Sequence, residues 1–177
     1  HEMLFGFAPA VITGFLLTAV PNWTGRLPLQ GRPLILLFLV WLAGRVAVAA
    51  SAWLGWAATM AVDSAYLLLL AAVVGREIVA GKNWRNLKVF VILSLLFLIN
   101  VAFHMEAHLT GAAAYAQRGA IATTLLLVVL IGGRVTPSFT RNWLARENPG
   151  PLPTAGGKVD NAFVAIAAAA VALWVVF

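Results

Sequence analysis

Cysteine is absent and acidic residues are scarce: the chain has no Cys, and six Asp and Glu against twelve Lys and Arg. Without thiols there is no disulfide framework, no thiolate metal site and no Cys nucleophile. Any metal must then be held by His, Met, a carboxylate or a cofactor of its own. Charge of either sign is also sparse, at 10% of 177 residues against 62% hydrophobic, and the mean hydropathy is +0.94. A chain so short of polar side chains cannot cover an apolar interior, so lipid has to be its solvent. The basic residues form no single patch but sit between apolar runs, which favours lipid headgroups over nucleic acid as the partner. No nucleophile–base–acid set, phosphate loop or paired carboxylates can be found, so hydrolase and kinase chemistry has no support. The stretch from His104 to His108 lacks the Glu directly after the first His that a zinc protease requires.

What is present is a series of apolar runs, each close to the roughly 20 residues that cross a bilayer. They predict an all-α, polytopic transmembrane bundle with about six spans, near 3–20, 34–54, 57–79, 87–104, 119–135 and 162–177, in a single helical domain. Pro9 falls inside the first. A tight turn near Gly55 joins the second and third, and the Pro- and Gly-rich stretch 136–161 reads as a long loop. Because the chain begins at His1 and stops at Phe177 within an apolar run, it reads as a piece of a longer membrane protein.

Charge sets the expected orientation. The first, third and fifth connections hold Arg26, Arg32, Arg76, Lys82, Arg85, Lys88, Arg134, Arg141, Arg146 and Lys158, ten of the twelve basic residues. These odd-numbered connections are therefore expected on the cytoplasmic side. Asn22-Trp23, Asn83-Trp84 and Asn142-Trp143 repeat an Asn-Trp pair in the same three connections, as suits the headgroup zone. A related pattern follows the first and fifth spans, where Pro21-Asn22-Trp23-Thr24 and Pro137-Ser138-Phe139-Thr140 are expected to end each helix, with Thr satisfying freed backbone groups.

The same topology carries His1, Met3, Asn100, His104, Met105 and His108 to the outer face, although about a hundred residues separate the first from the last. Asn100, His104 and His108 are spaced by four and share a helix stripe if the helix extends that far. Imidazole is a common ligand for copper and haem iron, and Met suits Cu(I). His1, His104, His108, Met3 and Met105 are thus candidate metal ligands; the bland alternative is interfacial histidines reaching into headgroups. Arg45 and Asp63 lie within apolar runs, about 3 Å apart in depth on adjacent antiparallel helices. An unpaired charge there costs at least about 2.5–3.5 kcal/mol, so a partner is expected. Either the two form a structural ion pair, or Arg45 faces a polar cavity and neutralises an anion.

The stretch from His1 to Phe7, with Gly14 to Arg26, resembles the opening signature of the NnrS family. Trp41-Leu42-Ala43-Gly44-Arg45 and the stretch from Gly132 to Asn142 resemble the same family. The resemblance implies a bacterial inner-membrane protein of about twelve helices that contains haem b and copper and takes part in nitric oxide tolerance. On that reading His1 and His104 face the periplasm, Arg45 or Arg134 balances cofactor carboxylates, and Asn100 lies beside the site. Two rival readings use the same residues: a secondary transporter with Arg45 and Asp63 on its substrate path, or a structural membrane module.

Overall fold

The computed structural model describes residues 1–147, 150–153 and 157–177, with the side chain of Lys158 also outside the described set. Among the described residues the structure is all-helical, and six helices are long and apolar enough to cross a membrane. Helix α1 (Ala8–Thr24) is preceded without a break by a π-helical turn, Glu2–Phe7. Helices α2 (Arg32–Ala49), α3 (Trp56–Ala80), α4 (Leu87–Thr110), α5 (Ala114–Glu147) and α6 (Lys158–Val176) follow. Two compact units result, His1–Ile121 and Ala122–Phe177.

In the first unit α3 is the central element, packed against α1, α2 and α4. Large apolar side chains such as Leu36, Phe38, Val91 and Leu98 are exposed on the rim, as suits a surface that faces lipid. The core is a narrower seam of Leu16, Leu67, Leu70, Val74, Leu93 and Leu96. Small residues set the helix spacing: a Cβ on Gly75 would lie 2.8 Å from the Phe90 ring, and one on Gly44 3.3 Å from the Asp63 Cα. Without a hydrophobic force between helices in lipid, such close approach is a main source of cohesion. The turn from α2 to α3 is tight, as expected, with a short helical turn at Ser51–Leu54 and Gly55 at φ +79°. Glu106 caps α5, its carboxylate accepting the backbone N–H groups of Tyr115 and Ala116 at 3.0 and 2.8 Å.

Two expectations need correction. Residues 136–147 are not loop, because α5 continues through Pro137 to Glu147. Nor does Pro21 end α1, which runs on to Thr24 and stops at Gly25 in a left-handed conformation. In both places a Thr three residues past the Pro supports the helix. Thr24 Oγ1 donates to the Val20 carbonyl, and Thr140 Oγ1 to the Thr136 carbonyl, each at 2.9 Å. Each hydroxyl bonds the carbonyl just before the Pro; the carbonyl left without the proline N–H lies four residues earlier, at Leu17 and Gly133. In the second unit, Asp160 accepts the Gly157 N–H at 2.9 Å at the start of α6.

Gly75→Ile is expected to force the Phe90 ring outward and to destabilise the α3–α4 seam by about 1–3 kcal/mol. Gly14→Ala, whose Cβ would meet nothing within 4 Å, is expected to be silent. Thermal unfolding in detergent compares the two, and equal melting temperatures for both variants would contradict the packing described.

Candidate metal centre

A single carboxylate organises the polar interior of the first unit. Asp63, on the side of α3 that faces its neighbours, is 1% exposed. Its Oδ1 accepts an ion-paired hydrogen bond from Arg45 Nη2 on α2. Its Oδ2 lies 3.0 Å from each of three nitrogens: Nε2 of His1 beside the π turn, and Nδ2 of Asn100 and Nε2 of His104 on α4. A carboxylate can only accept, so in this arrangement both imidazoles carry their proton on Nε2. Arg45 also reaches Glu2, with Nη1 donating to Oε2 at 2.8 Å. Counting Asp63 and Glu2 against Arg45, with neutral imidazoles, leaves the cluster one negative charge, which favours a bound cation.

Local structure explains how these groups meet. The π turn keeps His1 and Glu2 in register with α1, and the Gly6 carbonyl accepts the Trp41 indole N–H at 3.0 Å, tying α1 to α2. Gly6 leaves room for Arg45, since a Cβ there would stand 2.5 Å from Nη1. Aromatic rings wall the imidazoles. His1 packs against Phe5, Phe103 and His104 with ring centroids 5.2, 5.1 and 5.1 Å away.

His1, Asp63 and His104 each offer one donor atom, and these atoms lie within 4.8 Å of one another, a spacing able to hold a metal ion. Two imidazole nitrogens and a carboxylate oxygen form a borderline donor set suited to a divalent transition metal. His1 Nδ1 is a further sign: it is buried without a hydrogen-bond partner, 3.5 Å from Glu2 Oε1. A histidine that ligates through one ring nitrogen ordinarily donates its other N–H to a carboxylate. Glu2 stands where that acceptor is needed once the His1 proton moves to Nδ1.

The structure brings together His1, Asn100, His104 and Arg45 of the residues singled out from the sequence. The other candidates lie elsewhere. His108 stacks on Trp56, with centroids 4.2 Å apart and an interplanar angle of 12°. Met3 and Met105 are 69% and 46% exposed on the outer surface. Arg134 belongs to the second unit. From the sequence Asp63 reads as a partner for Arg45, or as part of a transporter's substrate path, and not as a metal ligand; its shared depth with His104 was the one signal that could have grouped it with the imidazoles.

Removing Arg45 leaves Asp63 buried beside Glu2 with no cation. Arg45→Met is expected to destabilise the unit by about 3–5 kcal/mol, and adding Asp63→Asn should restore much of the loss. Unfolding of the single and double variants in detergent measures this, and additive losses would contradict the pairing.

With the geometry in place, a protein-family model described as NnrS protein matches residues 1–177 of the chain. No curated protein and no solved structure matches it.

Proposed function

The chain belongs to the NnrS family, and from that premise we propose that it is a bacterial inner-membrane metalloprotein contributing to nitric oxide stress tolerance. Membership supports a membrane protein of the nitric oxide response in the broad sense. The finer reading assigns copper to His1, Asp63 and His104. One observation carries it: three donor atoms from three separate segments of the chain converge within 4.8 Å.

The residues present fit such an ion. The donors are nitrogen and oxygen, the cluster has one negative charge to spare, and Glu2 faces the orphaned Nδ1 of His1. Copper(II) heads the divalent affinity order for a site of this kind. Bound there, it would supply one-electron chemistry. The protein's part is to orient and to exclude. Arg45 fixes Asp63 from the Oδ1 side, Asn100 fixes it from the Oδ2 side, and Phe5 and Phe103 keep water from the imidazoles. Nitric oxide partitions into lipid, so a site at membrane depth meets it without an aqueous channel.

A haem does not fit the same cluster. Asp63 Oδ2 stands 3.0 Å from both Nε2 atoms and blocks the space between the rings where a macrocycle would lie. Haem b, which the family implies, is therefore assigned to none of these residues. Orientation follows from the basic residues: the odd-numbered connections lie in the cytoplasm, and the His1–His104 end faces the periplasm.

Copper analysis and the absorption spectrum of the detergent-extracted protein test the proposal. About one copper per chain is expected, and His104→Ala should lose it. Glu2→Leu should weaken copper binding about 10–100-fold, as removal of an outer-sphere acceptor does, with Glu2→Gln retaining more affinity because it keeps an acceptor oxygen. Stoichiometric copper in a His1→Ala, His104→Ala double variant would overturn the assignment.

A further inference from the structure

The opposite end of the first unit carries a second polar cluster that the metal centre does not use. Here α1 and α3 end and α2 and α4 begin. Six basic residues (Arg26, Arg32, Arg76, Lys82, Arg85 and Lys88) are set against a single acid, Glu77. Glu77 is shared: Arg26 Nε donates to its Oε2, while Arg76 Nε and Nη2 donate to its Oε1 at 3.2 and 3.0 Å. Two guanidinium groups on one carboxylate leave a net positive charge, with N–H groups to spare on each arginine.

Arg26, Arg76 and Glu77 border an open cavity of about 600 Å³, whose other walls are the 25–30 loop and Pro33 at the start of α2. The end of α1 that leads into the loop is held against the end of α3. Asn83 Nδ2 donates to the Trp23 carbonyl, and a Cβ on Gly81 would lie 2.7 Å from Thr24 Cβ, so the ends of α1 and α3 are in direct contact. Leu27, Leu29 and Glu77 border both this cavity and a narrow apolar gap between α1 and α3, whose walls include Leu17 and Val73. Trp84, between α3 and α4 at the same end of the unit, is exposed, as befits a headgroup-level anchor.

A cationic chamber opening into an apolar cleft matches one ligand chemistry, an anion joined to hydrocarbon. We propose that this notch binds the phosphate headgroup of an anionic glycerophospholipid, with Arg26 and Arg76 contacting the phosphate and an acyl chain passing over the exposed Leu27 at the mouth of the narrow α1–α3 gap. Arginine suits this role because its planar fork contacts phosphate bidentately. Glu77 holds the two guanidinium groups in place and keeps them from repelling each other. A zwitterionic lipid gains less, because its own cation competes for the phosphate.

Native mass spectrometry of the full chain tests this, with the protein in detergent offered phosphatidylglycerol and phosphatidylcholine in equal amounts. Phosphatidylglycerol should be retained preferentially. The preference should fall roughly fivefold for each arginine lost in Arg26→Gln and Arg76→Gln. The paired Arg26→Lys, Arg76→Lys variant should keep part of it, and it stands in where the Gln variants fail to fold. Inorganic phosphate at millimolar concentration should not displace the lipid. Equal retention of both lipids, an unchanged preference in the Gln variants, or displacement by phosphate alone would each overturn the proposal.

Discussion

The buried carboxylate of Asp63 is the constraint around which the first unit is arranged. Ionised at membrane depth it would be costly without partners. The structure supplies four donors, from the His1 segment, α2 and α4. Each donor fixes the position of its own element against α3, so one group orients three segments around that helix. Glycines 6 and 44 follow from it, since a side chain at either would collide with the Arg45–Asp63 pair. The same convergence that satisfies the charge also creates the three-donor cluster.

Packing and the proposed metal binding therefore draw on the same atoms. In the ion-free arrangement both imidazoles spend their Nε2 protons on Asp63, and the carboxylate is fully occupied. An ion at this point would replace those two hydrogen bonds with coordination, while Arg45 and Asn100 remain to hold Asp63 in place.

The spans were legible in the sequence because lipid imposes a length and a composition that few other environments demand. Charge asymmetry carried His1 and His104 to one end, and the structure sets their rings 5.1 Å apart. His108 was harder to read. Each step of four residues turns about 40° around a helix and rises about 6 Å, so a stripe from Asn100 drifts off the bundle interior by His108. It ends on Trp56 instead. The stretch 136–147 misled for a different reason, because Pro137 lies inside a helix that runs on to Glu147, as helices placed in lipid tolerate. That Asp63 would accept from imidazoles as well as from Arg45 depended on the rotation of α3 and α4, which hydropathy does not encode.

The chain order of the Asp63 partners has a consequence for biogenesis. Glu2 and Arg45 are both made before Asp63, and Arg45 lies on the helix immediately ahead of it. During synthesis α2 and α3 can enter the bilayer as a hairpin with opposite charges already matched. The acidic side chain never has to wait in lipid for its counterion; only the neutral amide and imidazole of α4 arrive late. A circularly permuted chain that began at α3 would reverse this sequence, leaving a solitary anion to cross the translocon first.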